Sequence, residues 1–177
     1  MILKQDNSLL FIIDVQEKLL NAVFNRGLVE KNSIILAKAA RILKLPVILT
    51  EQYPKGLGES IEEIKANALV FEKFAFNALQ DENLLKVLDD CNKKQIVVFG
   101  IETHICVHQT VAALVDAGFD VVVVSDACGS RSEEEYKSAL FYMQNCGVHI
   151  KTTEMILFEW LKTAKHPNFK EIQALIK

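Results

Sequence analysis

Residues 95–106 read Gln95-Ile96-Val97-Val98-Phe99-Gly100-Ile101-Glu102-Thr103-His104-Ile105-Cys106. Ile96 to Phe99 are apolar without a break, the pattern of a strand covered on both faces, because a half-exposed strand would alternate. Gly100 closes the run, Thr103 is a candidate helix N-cap, and Ile105 to Ala117 carries the spacing of an amphipathic helix. A buried strand that hands over to a helix is the repeating unit of parallel sheets.

The same alternation extends in both directions. Ser8 to Ile13, Pro46 to Thr50, Leu69 to Phe71, Asp120 to Val124 and His149 to Lys151 read as further strands. Val29 to Leu43, Glu82 to Leu88 and Glu133 to Asn145 read as helices, with Ile34, Ile35, Ala39, Ile42 and Leu43 marking the apolar stripe of the first. Ser132 and Glu135 form a capping box, and Gly118 and Gly147 fall just past helix ends. Tyr53 to Gly58, with Pro54, Gly56 and Gly58, reads as a loop, and the tail after Pro167 as a short helix from Phe169 to Ile176. Strand and helix alternating about six times imply right-handed crossovers. The expected architecture is a three-layer αβα, Rossmann-like sandwich around a mostly parallel six-stranded sheet, with residues 1–177 forming one domain.

Composition agrees and narrows the function classes. The 177 residues are 50% apolar and 24% charged, with 7 Gly and 3 Pro, which excludes disordered and collagen-like chains. Lys and Arg number 20 against 23 Asp and Glu, a net charge of −3 with no basic tract, so no nucleic-acid partner is expected. No segment approaches the roughly 20 apolar residues that span a membrane, and the apolar run Leu9 to Ile13 is too short for a signal peptide. A cytoplasmic protein with no membrane partner is the expectation. Mean hydropathy of +0.18 gives a mild indication of self-association.

Cys91, Cys106, Cys128 and Cys146 are 15, 22 and 18 residues apart and contain no C-x-x-C pair. That spacing supports neither a zinc ribbon nor a thioredoxin-type pair, and reduced structural thiols are the default. Cys106 departs from it. In an open parallel sheet the ligand site lies outside the carboxyl ends of the strands. Asp14 follows the first strand, Lys73 the third and Cys106 the fourth. A thiol in a first helical turn meets free N–H groups and the positive dipole end, and a nearby Lys73 would lower its pKa further, while Asp14 could accept its proton. Taken singly, Asp14 reads as a helix cap, Lys73 as a surface lysine and Cys106 as a packed thiol; their convergence points to a nucleophile with an acid and a lysine beside it.

These residues resemble the isochorismatase-like cysteine hydrolases. The matching segments are Ile12-Ile13-Asp14-Val15-Gln16, Phe71-Glu72-Lys73 followed by Phe76, and Gly100 through Val107. Thr50 through Gly58, Ser125-Asp126-Ala127-Cys128, Ser130-Arg131-Ser132, His166-Pro167 and Phe169 through Gln173 are similar to the isochorismatase domain-containing proteins within that superfamily. The resemblance implies a catalytic triad of Asp14, Lys73 and Cys106 acting on a C–N bond of a small amide through a thioester, without a cofactor. It also implies a cis peptide between Ile101 and Glu102 and an oxyanion hole from the Glu102 and Cys106 N–H groups. Gln16, Phe24, Tyr53, Phe76 and His104 are its expected pocket residues, with Glu51 and Glu102 bordering the site, and a homo-oligomer its expected assembly. Nicotinamidases of this superfamily carry an Asp-x-His metal motif after the second strand; here the stretch is Glu51-Gln52-Tyr53, and no metal is expected. His104 and His108, one turn apart, lack a third ligand in the sequence. Isochorismatases proper lack the nucleophilic cysteine, so isochorismate is not the expected substrate. Two other readings stay open: a scaffold that keeps the fold without turnover, and a thiol redox sensor, against which the lack of a neighbouring resolving cysteine argues.

Overall fold

The computed structural model describes residues 1–177. Its six strands are β1 (Ser8–Ile13), β2 (Val47–Gln52), β3 (Leu69–Lys73), β4 (Gln95–Gly100), β5 (Asp120–Val124) and β6 (His149–Lys151). They form one sheet in the order β3-β2-β1-β4-β5-β6, and every neighbouring pair is parallel. The helices that cover its two sides are α1 (Glu17–Leu20), α2 (Arg26–Ile42), α3 (Pro54–Leu57), α4 (Glu62–Lys65), α5 (Glu82–Asp90), α6 (His108–Asp116), α7 (Glu133–Asn145), α8 (Thr153–Leu161) and α9 (Phe169–Ala174). No helix is long and apolar enough to cross a membrane.

The strand order explains the apolar runs. β1 is the first strand in the chain but lies in the middle of the sheet, and all six of its residues are buried, as are all six of β4. The chain winds outward from β1 through β2 to β3, then returns across the sheet to β4 and winds the other way. The reversal leaves a crevice at the carboxyl ends of β1 and β4, the place where open α/β sheets put their ligands.

Gly100 is required where these two strands end. Its φ is +141°, and a Cβ built there would stand 1.9 Å from the Ile13 carbonyl oxygen. The Ile101 N–H donates to that same oxygen at 2.9 Å, so the ladder continues one residue past the strand. Only glycine permits so close an approach at this φ.

Three local expectations change. The segment Tyr53 to Gly58 holds a helical turn, α3, with Pro54 at its first position and Tyr53 in the left-handed region at φ 37°. The stretch after β6 forms α8, which the sequence reading leaves unassigned: Ile156, Leu157, Trp160 and Leu161 are buried, and too few polar residues remain to show a helical period. The helix expected from Ile105 begins instead as a π-helical turn, Thr103–Val107, capped by Glu102 rather than Thr103, in which the Val107 N–H reaches back five residues to the Glu102 carbonyl.

Candidate active site

Asp14 leaves β1 with φ 51°, a left-handed turn that an aspartate tolerates better than most residues. Its carboxylate is wholly buried and fully engaged. Oδ1 accepts a hydrogen bond from the Thr50 hydroxyl at 2.7 Å, and Oδ2 meets the Lys73 ammonium at 2.6 Å. Lys73, at the end of β3, also donates to Gln52 Oε1 at 2.7 Å and to the Ala75 carbonyl at 3.2 Å. Thr50 and Gln52 are two residues apart on β2, so both project from one face of the sheet, over β1 and β3 respectively. A buried ion pair survives only when its remaining valences are filled, and β2 supplies the groups that fill them.

Cys106 sits in the π-helical turn beyond β4, 6% exposed, with its thiol within hydrogen-bonding reach of both Asp14 and Lys73. π-helical turns recur at functional sites because the extra residue redirects one side chain. Three side chains separated by 59 and 33 residues thus meet at one point. The thiol is not acidified at rest: burial, followed by the Asp14 charge, pushes it up to about 12, and the opposing effect of Lys73 is smaller. The expectation of a lowered pKa is therefore corrected, since a thiol taken out of water beside a carboxylate keeps its proton.

The peptide bond between Ile101 and Glu102 is cis. Around it, Thr103 donates from both its N–H and its hydroxyl to the Gly129 carbonyl, at 2.8 and 2.9 Å, and Gly129 donates to Gly100. The Glu102 N–H makes no hydrogen bond within the chain. The Glu102 carboxylate accepts from Arg131 Nε at 2.9 Å.

The expected pocket residues divide. Tyr53 and Phe76 stand on either side of Lys73: the Tyr53 N–H bonds to the Lys73 carbonyl, and the Phe76 carbonyl lies 3.5 Å from Lys73 Nζ. Phe24 packs edge-on against Tyr136, with ring centroids 5.7 Å apart, and its N–H donates to the Ser130 carbonyl. His104 is held at the rim, its Nδ1 3.0 Å from the Ser130 hydroxyl and its Nε2 3.5 Å from both Arg131 and Glu135. Gln16 is not a pocket residue. It is wholly buried, and its amide is consumed in bracing the Gln52 and Gly58 backbone. Glu51, between Thr50 and Gln52, points to the opposite face of the sheet and accepts from the Ser60 N–H at 2.7 Å, so it does not border the site.

Thr50 and Gln52 are the residues that the sequence reading misses. They lie inside a segment quoted for its family likeness, and their spacing of two at a strand end is the signal that could have placed them beside Asp14. No group of three or more His, Cys, Asp and Glu side chains is arranged to hold a metal. His108 packs against Tyr142, and His166 bonds to Gln5 and the Asn168 N–H. The largest cavity, about 580 Å³, is at the other end of the sheet among Gln5, Lys44, Lys93 and His166, and contains no thiol.

Comparison with known proteins agrees with the fold. A family model described as the isochorismatase domain matches residues 8–155. The zebrafish isochorismatase domain-containing protein 2 is 39% identical over 98% of this chain and 89% of its own. Among solved structures, the MAR1 ribonuclease of Caenorhabditis elegans superposes with a TM-score of 0.91 at 36% identity, covering 99% of this chain and 92% of that one. The Escherichia coli YcaC gene product, described as an octameric hydrolase of unknown specificity, superposes with a TM-score of 0.90 at 25% identity over 98% and 95% of the two chains.

Proposed function

This chain belongs to the isochorismatase family of hydrolases, and from that premise we propose that it is a cysteine hydrolase that cleaves a C–N bond of a small amide. The observation that carries the proposal is the contact of Cys106 with the buried Asp14–Lys73 pair. Because the resting thiol holds its proton, attack and deprotonation are coupled: Asp14 removes the proton as Sγ adds to the carbonyl carbon. Lys73 keeps the acceptor carboxylate in place. Charge that develops on the carbonyl oxygen is met by the Glu102 N–H, which has no other partner in the chain, together with the Cys106 N–H. Asp14 then returns the proton to the leaving amine, and a thioester remains. Water, deprotonated by Asp14, releases the acid and restores the thiol.

The scheme uses only residues of this chain and needs no metal or cofactor. A small molecule is the substrate in this reading, in spite of the ribonuclease name of one structural neighbour. The net charge of −3 and the lack of a basic tract support it. Residues 1–177 act as one catalytic domain, in the cytoplasm and as a homo-oligomer, for which the octameric relative is the precedent. One feature favours a rival, a binding module without turnover: Cys106 is buried beside the Asp14 carboxylate, and both effects hold the thiol in its protonated, inert form.

The test is a screen of small amides for ammonia or amine release, with single-stranded RNA included, repeated with Cys106→Ala, Asp14→Asn and Lys73→Ala. Amide turnover abolished in Cys106→Ala supports the proposal. Full turnover by Cys106→Ala removes the nucleophile assignment, cleavage of RNA alone replaces the substrate class, and no turnover with any substrate leaves the binding module.

A further inference from the structure

Lysine carries its charge at the end of a flexible four-carbon stem, so the acceptors around Nζ decide where the charge of Lys73 sits. Asp14 Oδ2 lies at 2.6 Å, Gln52 Oε1 at 2.7 Å, the Ala75 carbonyl at 3.2 Å and the Phe76 carbonyl at 3.5 Å, more acceptors than the three N–H groups of an ammonium can serve singly. Two of them are main-chain carbonyls of residues 74–77, which lie in no helix or strand. The direction of these carbonyls is therefore set by how the two ends of the segment are held. At the first end Gln52 Nε2 donates to the Phe74 carbonyl at 2.7 Å. At the other the Ala78 N–H donates to the Thr110 hydroxyl at 3.1 Å, with Ala78 1% exposed and Thr110 wholly buried. The Asn77 side chain holds nothing across the gap, since its Oδ1 accepts from the Leu79 N–H.

Thr110 stands on α6, four residues beyond Cys106 in one continuous helical run. Neither the helix nor the core calls for a hydroxyl there. Valine has the same shape and a similar helix propensity, and a hydroxyl taken out of water costs free energy unless it is hydrogen-bonded. Its bond from the Ala78 N–H ties the helix that carries the thiol to the segment whose carbonyls hold the lysine. We infer that Thr110 is a positioning residue, which keeps the Lys73 ammonium in place beside Cys106 and Asp14 by fixing the 74–78 loop at the Ala78 N–H. Thr110 acts through the lysine and touches no reacting atom, and its role rests on the proposed triad. Lys73 opposes the burial and the Asp14 charge that keep the thiol protonated, so a displaced ammonium leaves Cys106 less reactive.

The probe is iodoacetamide, and the rate of Cys106 labelling in the full chain at pH 9 is followed by peptide mass spectrometry. The thiolate is the reacting form, and a pKa higher by one unit lowers its amount about tenfold. Thr110→Val removes the acceptor and slows Cys106 labelling by about fivefold or more, whereas Thr110→Ser, which keeps the hydroxyl, stays within about twofold of the wild type. Lys73→Met slows labelling at least as much, and Thr110→Val adds nothing further in that background, because its effect passes through the lysine. Ser8→Ala, which loses a buried hydroxyl bond from Trp160 Nε1 at the opposite end of the sheet, leaves the rate unchanged. Cys128, wholly buried, reports opening of the fold in every variant. Wild-type labelling in Thr110→Val, slowing in Thr110→Ser, or further slowing when Thr110→Val is added to Lys73→Met overturns the inference. So does Cys128 labelling as fast as Cys106 in both Thr110→Val and Thr110→Ala, for the hydroxyl then holds the fold and not the lysine. Failure of the hydrolase reading shows elsewhere, as amides left intact by a wild type whose Cys106 still responds to Thr110→Val and Lys73→Met in this way.

Discussion

Replacing Lys73 by methionine isolates what the buried ion pair does for the fold. Methionine keeps much of the lysine stem and its packing but removes the charge. At 2.6 Å the pair attracts by about 6 kcal/mol with an effective dielectric constant of about 20, and most of that offsets the cost of taking both charges out of water. The variant keeps the whole desolvation cost of Asp14, whose side chain is 0% exposed, and leaves it only two neutral donors, the Thr50 hydroxyl and the Cys106 thiol. Removing one partner of such a pair costs about 3 to 5 kcal/mol. That is a large part of the stability of an ordinary domain, and at about 2 to 4 °C per kcal/mol for a chain of this size it lowers the melting temperature by roughly 6 to 20 °C. Asp14→Asn combined with Lys73→Met removes the stranded charge, and the double variant regains more than half of the loss. Urea unfolding of the wild type, the two single variants and the double variant gives the cycle. A Lys73→Met cost below about 1 kcal/mol, or a double variant less stable than Lys73→Met alone, refutes the view that Asp14 is held in place as a buried charge.

Three further outcomes follow from other parts of the structure. Burial raises the thiols of Cys106 and Cys128 from 9.0 to about 12, so the folded state favours their protonated forms: the stability they contribute is complete below about pH 9 and is lost as pH rises toward 12. Unfolding by urea at pH 7, 9 and 10.5 reads this decline, and in Cys106→Ala the decline is shallower. In the absence of substrate, mass spectrometry after iodoacetamide at pH 7 finds the exposed Cys146 labelled before Cys106, and Asp14→Asn speeds labelling of Cys106 by removing the second largest cause of its raised pKa. Gly100→Ala costs more than about 3 kcal/mol or yields no soluble protein, because its Cβ would overlap the Ile13 carbonyl, and a near-native melting temperature would show that β1 and β4 can separate there.

The sheet was legible because its strands advertise burial. Ser8–Ile13, Asp120–Val124 and His149–Lys151 form over the residues expected, whereas β2 starts one residue later and ends two later at Gln52, β3 ends two later at Lys73, and β4 one later at Gly100. The helix of residues 133–145 was legible through its cap, where the Ser132 hydroxyl accepts from the Glu135 N–H. What stayed hidden depends on neighbours distant in sequence. The π-helical turn has the same composition as an α-helical start, and only its bond from Val107 to Glu102 distinguishes them. The positions of Asp14, Lys73 and Cys106 followed from the rule for strand ends, but the protonation of the thiol did not. It is decided by how much water the packed site excludes, a quantity no spacing encodes. Gln16 stays hidden for the same reason: a glutamine two residues after Asp14 looks like a ligand group until its amide is seen bonded to Gln52 and Gly58.

The central place of β1 has a consequence for synthesis. Ser8–Ile13 leaves the ribosome before the other five strands, pairs on one side with Val47–Gln52, and must wait on the other for Gln95–Gly100, about 85 residues later. At 5 to 20 residues per second that interval is roughly 4 to 17 seconds, during which the most apolar segment of the nascent chain presents an open edge. Chaperone capture of the nascent chain should therefore peak before β4 emerges, and Cys106, which follows β4, is added only when the central strand is no longer at risk.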